Sequence, residues 1–380
     1  MTDHILDDIS PEGRDLREYT DELRKSHAVV KNTFNEWVLL KHADVVAAAM
    51  DHERFSNAAS RYLQIPNGMD GDEHTYYRKV IDRYLSKEAL QPYIPTFQKV
   101  ATQLMTELPR GEVLDAVSEI GAVFAVRAQC EWLGWPKELE PRLLQWMTDN
   151  HAAIRSRSHK EMSDLATQFD EIIRSVIHPR RANKVQENDD VTTRLCHDIS
   201  LGRLLTETEL ISIMRNWTAG DLGSIALCVG VIAHHIAHQP TLAEQLRTAE
   251  DKEIEAFIDE VLRIDDPFVS NRRITNCSVQ IGGQDVPKGA IVKLHWTSAN
   301  RDELLFGDNK FDPKKNRKNN LVYGVGKHAC PGRLLATWEL RIMVRTLLSS
   351  VQTITLAQNQ EAEREIAPLG GFHRVPVVLS

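Results

Sequence analysis

Cysteine is scarce and badly placed for pairing. The 380 residues hold five, Cys130, Cys196, Cys228, Cys277 and Cys330, an odd number, widely scattered and without a CxxC. The opening MTDHILDDISPEGRD is polar and acidic, with no secretory apolar segment. Reduced thiols and a cytoplasmic location are therefore expected, not a disulfide framework. No apolar run approaches the ~20 residues of a membrane helix. A basic surplus is missing too: 46 Lys and Arg face 54 Asp and Glu, a net charge of −8, which argues against general nucleic-acid binding. There is no repeat or low-complexity tract, and the only linker-like stretch is ANKVQENDD, residues 182–190. The chain reads as one large domain over residues 1–380.

What is there is mostly helix. Apolar residues at three- and four-residue spacing predict helices over 74–90, 94–107, 115–133, 141–178, 207–238, 241–263 and 333–349. Strand signals are short, in SVQIGGQDVPKGAIVKLHW and in the tail segments VQTITLAQ and HRVPVVL. The fold class is mainly α with a minor β portion. The segment from Ile211 to His238 is apolar around most of its circumference, which implies a helix through the protein centre. Gly220, Asp221 and Gly223 interrupt it. Mid-helix glycine costs roughly 1 kcal/mol and a buried carboxylate costs more, so the sequence needs room or a kink there.

Chemistry concentrates in YGVGKHACPG, Tyr323 to Gly332, just before a helical run. Glycines at 324, 326 and 332 allow tight turns and a close approach to a flat object. A helix start favours a thiolate at Cys330. A nucleophilic cysteine would want a base, and His328 is the nearby candidate, with nothing to orient it. Zinc would want further ligands, and no second cysteine is close. A small buried cysteine is the plain structural alternative.

YGVGKHACPG resembles the haem-ligand loop of the cytochrome P450 family, F-G-x-G-x-H-x-C-x-G, with Tyr323 in place of the leading phenylalanine. The resemblance implies that Cys330 is the proximal thiolate on the iron of haem b, its electron donation favouring O–O cleavage. Tyr323, Gly324 and Gly332 frame that loop, and His328 would donate to a haem propionate. EVLR resembles the family's E-x-x-R pair, Glu260 and Arg263. NRRIT places Arg273 where the family has a propionate arginine, with Arg272 as the alternative register. GDEHTYYRKV resembles its H-x-x-x-R helix, with His74 and Arg78 on one face. SANRDELLFGDNKFDP and CEWLGWP extend the likeness to about residues 50–350. The implied architecture is the cytochrome P450 fold, with a long central helix over the haem and no fused reductase domain.

The chain departs from the family in WTAGDLGS. Where the family usually reads A-G-x-D/E-T, the acid position is Leu222 and the alcohol position Gly223. Asp221 and Ser224, one place to either side, are the substitute catalytic candidates. Gly220 and Gly223 would open the helix so that water links them to the site. Asp221 in a local polar network is the alternative. The variant also resembles bacterial cytochromes P450 acting on small methoxylated aromatics.

The family places substrate contacts at positions matching Leu63, Trp217, Ala219, Val269 and Phe372, each of which could equally be core. The IRSRSHK region is short and basic, which suits a small or acidic substrate. His234, His235 and His238 read as helix-end residues ahead of a metal face. KKNRK (314–318), Lys327 and Arg333 gather positive charge near the cysteine, suited to an acidic donor such as a ferredoxin or flavodoxin. The implied activity is insertion of one oxygen atom of O2 into a small, largely apolar molecule. A peroxide-driven enzyme and a non-catalytic haem protein are the alternatives.

Overall fold

The computed structural model describes residues 5–6, 14–60, 62–182 and 189–380. Most of the polar N-terminus, and residues 183–188 of the linker-like stretch, lie outside the described residues. The structure is 59% helical with minor sheet. Helices Ile94–Glu107, Glu207–His238 and Arg333–Ser350 fall where the apolar spacing predicts.

Other predicted helices divide. The stretch 141–178 becomes Glu140–Ser156 and His159–Ala182. Between them Arg157 takes a left-handed conformation (φ 54°), its N–H closing the first helix onto the Ala153 and Ile154 carbonyls. The stretch 241–263 splits at Glu250, which starts Asp251–Ile264 through a capping box with Glu253. The helix Gly71–Tyr84 stops before Ser86, which caps a new turn by accepting from Ala89 N–H. Within 115–133, Ala116–Ala122 form a wider π turn that leads into Val123–Leu133.

The helix Glu207–His238, here the central helix, begins with a Thr206–Glu209 capping box and runs unbroken for 32 residues. Contrary to the sequence reading, it is long and apolar enough to cross a membrane. Even so, 61% of its most apolar window is buried among the protein's own residues, so its hydrophobicity is accounted for by the core. That core also takes in the π turn, Val123–Leu133 and Arg333–Ser350, here the cysteine helix.

A six-stranded mixed sheet lies to one side, in the order Ile5–Leu6, Val29–Asn32, Trp37–Leu39, Ile291–His295, Ser270–Thr275, Phe55–Ser56. Strand alternation sends neighbouring residues to opposite faces. In Ser270–Thr275 this buries Arg273 and exposes Arg272, which pairs with Glu36 at 2.6 Å. The Gly-Gly signal makes a hairpin between Val279–Ile281 and Gln284–Val286, both glycines at positive φ. The tail strands Ile354–Leu356 and Pro376–Leu379 pair with each other, and the second also pairs with Val113–Asp115.

Candidate functional site

The cysteine loop is held by its own backbone. Gly324 (φ 67°) and Gly326 (φ 77°) adopt conformations that a side chain would strain. Cys330 N–H donates to the Tyr323 carbonyl (2.8 Å) and Ala329 N–H to that of Gly326 (3.0 Å). Arg78 Nη1 reaches in from Gly71–Tyr84 to the carbonyls of Ala329 (3.0 Å) and Lys327 (3.2 Å). Behind the loop, Arg263 clasps Glu260 through two 2.9 Å bonds, both side chains buried. Asn316 and the Asp312 N–H also donate to Glu260, and Arg263 donates to the Asn300 carbonyl. The pair ties Asp251–Ile264 to the segment leading into the loop.

Cys330 is accessible, yet protein packs around it on most sides, so its thiol borders a recess, here the void. Burial pushes this thiol's pKa up, against the Gly332 N–H and the charges of Arg78 and Arg333. The Gly332 N–H at the helix start does favour the thiolate, as expected, but in the protein alone desolvation outweighs it.

Beside the loop, four nitrogen-bearing side chains converge. His74 and His328 lie with ring centroids 4.1 Å apart. Both His74 nitrogens and His328 Nε2 are buried with no hydrogen-bond partner. Burial, helped by neighbouring positive charge, lowers the pKa of His74 to about 4 and of His328 to about 3. Arg273 is buried with one bond, to the Arg272 carbonyl, and desolvation lowers its pKa to about 10. Asp70, the nearest carboxylate, is already bonded by Ser56 and Asn57. Arg78, the fourth, bonds the loop carbonyls and Asp82. Orphaned donors of this kind are costly unless a ligand carboxylate meets them.

The central helix comes near enough for the Asp221 charge to act on Cys330, and beside Asp221 it presents Gly220, exposed in mid-helix, where an added Cβ would meet nothing within 4 Å. Gly223 lies close against His151, a residue that sequence reasoning missed. An added Cβ there would stand 2.9 Å from His151 Nε2. The substitute acid and alcohol both have local partners. Asp221 is two residues from Gly223, hence about 160° round the helix. It meets Gln129, whose Nε2 donates to Oδ2 (2.5 Å). Burial raises its pKa and that of Glu339, a neighbouring carboxyl whose two oxygens have no partner. Ser224 Oγ is closed onto the Gly220 carbonyl (2.6 Å). Asp221 therefore sits in the local polar network.

The expected pocket residues scatter. Trp217 is core, stacked near Trp132 and Tyr84 at 5.3 and 5.6 Å. Phe372 packs on His234 (4.2 Å) beneath the Arg364 guanidinium (3.8 Å), some fourteen residues or about 21 Å along the helix from Gly220. The tail residue brought to the Val269 segment is instead Leu369, bridged to Phe268. Leu63 is exposed, its loop fastened to the central helix by Ser212 Oγ bonds to Leu63 O and Ile65 N. Ala219 is half-buried on the central helix, and Val269 is buried. Among the described residues no group of three or more His, Cys, Asp or Glu could hold a metal ion. His238 Nδ1 bonds the His234 carbonyl instead (3.0 Å).

An accessible thiol crowded by protein, a bare helix face at Gly220 and the partnerless nitrogens of His74 and His328 beside the buried Arg273 cation fit a flat, iron-bearing dicarboxylate. A family model described as Cytochrome P450 matches residues 138–377. The chain belongs to the cytochrome P450 family. It is an oxidoreductase with haem b as its cofactor. Similar proteins include cyclomarin C epoxidase CymV of Salinispora arenicola, 27% identical over 361 residues, which cover 90% of each chain. Another is linalool 8-monooxygenase of Pseudomonas putida, 26% identical over 371 residues, 90% of this chain and 89% of that one. The structure of cytochrome P450 CYP109Q5 from Chondromyces apiculatus shares the fold, with TM-score 0.87 and 22% identity over 99% of this chain and 98% of that one.

Proposed function

We propose that the protein is a cytoplasmic monooxygenase that inserts one oxygen atom of O2 into a small, largely apolar molecule, by hydroxylation or oxidative dealkylation. The observation that carries this reading is the open space at Cys330 and Gly220, with the partnerless nitrogens of His74 and His328 and the buried Arg273 beside the cysteine loop. Bound haem supplies the oxygen-activating chemistry. Cys330 would ligate its iron, and His74, His328 and Arg273 would hold its propionates. Arg78 and the loop glycines keep Cys330 in place.

A small substrate is supported by the two-residue connection, Arg157 and Ser158, between the helices flanking it. Ala219, Val269 and Leu369 would line its apolar side, and the WTAGDLGS resemblance favours a methoxylated aromatic. The relatives' names, an epoxidase and a linalool monooxygenase, support oxidation of C=C or C–H groups.

Electrons would come from a separate ferredoxin- or flavodoxin-type donor. Lys327 suits that face poorly, because its ammonium bonds the Gly71 carbonyl. Exposed Arg333 suits it: it pairs with Asp259 at 3.4 Å, Arg317 bears on the same carboxylate, and Lys318 follows Arg317.

The test is the reduced carbon monoxide complex. A thiolate-type red-shifted Soret band is expected, lost in Cys330→Ala, and a histidine-type band in the wild type would overturn the ligand assignment. A panel of small aromatics and terpenoids, scored for the low- to high-spin shift, then tests the pocket. One observation favours peroxide-driven turnover as a second reading: neither the Asp221 carboxyl nor the Ser224 hydroxyl is free on the helix's inner face. Turnover with ferredoxin and reductant but not with hydrogen peroxide would exclude it.

A further inference from the structure

His151 has no role assigned by the motifs, and its surroundings are unusual for a histidine. The helix Glu140–Ser156 brings the ring against the central helix at Gly223. Nε2 would be 2.9 Å and Cε1 3.7 Å from a Cβ at that position, so only glycine there accommodates the ring where it lies. Histidine and glycine thus form one steric unit, built from residues 72 positions apart. Gly220 lies one turn earlier on the same side of the helix and faces open space, so the ring borders the void.

Neither ring nitrogen makes a hydrogen bond among the described residues. Burial, then the charges of Arg155 and His373, lowers the pKa to about 4, so the ring is neutral at physiological pH. A neutral imidazole offers one N–H and one lone pair, and with no protein partner its tautomer is free. Neither ring nitrogen is sealed in the protein, so both remain open to a group that enters beside the helix.

We propose that His151 is a specificity-determining residue that hydrogen-bonds a hydroxyl group on the substrate, a small alcohol or phenol, methoxylated or not. A hydroxyl both donates and accepts, so it satisfies either tautomer. An ether can only accept. A carboxylate would bring a charge for which Arg155, the nearest cation named above, is already paired with Glu365 at 2.8 Å. The inference rests on the oxygen-insertion reading, which places substrate in this void.

The test uses haem-loaded protein and two matched pairs of probes, 4-methylphenol with its methyl ether and borneol with its methyl ether. Affinities are measured by calorimetry. The wild type is expected to prefer the hydroxyl member of at least one pair about tenfold, the scale of one hydrogen bond. His151→Phe should reduce that preference to within about twofold, and His151→Gln should keep part of it. Gly223→Ala, which pushes the ring from its seat, should weaken it as well and serves if the phenylalanine variant does not fold. The His151 ring resonances in the wild type should move when the preferred probe binds. Equal affinity for both members of each pair in the wild type overturns the proposal, as does an unchanged preference in His151→Phe. So does a ring signal indifferent to the bound probe. The carbon monoxide spectrum separates the failures: a thiolate band with no hydroxyl preference sinks only this inference, whereas a missing thiolate band sinks the reading beneath it.

Discussion

On the cysteine side of the void, position is set by main chain. Cys330 and Ala329 donate to carbonyls of their own loop, two glycines turn it, and Arg78 grips its carbonyls from outside. On the central-helix side, the helix is regular and contributes chiefly space, while the polar group in contact, His151, arrives from another helix. Both walls depend on glycine, for different reasons: Gly324 for its backbone angle, Gly223 for the room it leaves a neighbour. The first kind of site tolerates no change of loop, whereas the second can be retuned by exchanging a pair of side chains.

Breaking the cysteine side should cost most. Arg263→Ala leaves Glu260 buried without its cation, and a loss of about 3–5 kcal/mol is expected in urea unfolding. Removing Arg273 removes a buried donor facing the void. Haem affinity should fall by about 1.5–3 kcal/mol, read as faster haem transfer to an acceptor protein. Arg272→Ala, one residue away on the outer face, should change stability by less than about 1 kcal/mol, because it loses a pair with Glu36 on a half-exposed side chain. Gly324→Ala, at φ 67°, should destabilise by about 1–2 kcal/mol.

On the helix side the expected effect is smaller and depends on pH. Burial raises the pKa of Asp221 and Glu339 in the folded protein, so the folded state keeps protons that the unfolded chain has released. The stability they contribute is full below about pH 4, the ordinary carboxyl range, and is lost as pH rises through their folded values. Asp221→Asn should therefore be more stable than wild type at pH 8, by about 1 kcal/mol or more. Denaturation midpoints should converge towards pH 4, and a difference independent of pH would show that the carboxyl is not held neutral.

The cysteine side was legible because its determinants are local: glycines, a histidine and a cysteine within ten residues, and an acid–base pair three apart. The alternation of Ser270–Thr275 likewise separates Arg273 from Arg272 by period alone. The helix side was not legible. Where Asp221 points depends on Gln129 and Glu339, each about a hundred residues away in sequence. The Gly223–His151 fit is a match of shape between distant segments, with no signature in either one. The break at Arg157 was equally hidden, since an arginine in a left-handed turn looks like any other helical residue in a pattern of apolar spacing.

That break has a mechanical consequence. Two residues join Glu140–Ser156 to His159–Ala182, too few to fold back as a flap. The Arg157 guanidinium rests on Phe34 (4.7 Å), and Arg155 is pinned to Glu365 (2.8 Å). Shifting the end of Glu140–Ser156 therefore means giving up both contacts, and His151, one turn before Arg155 on the same helix, is held in place by them.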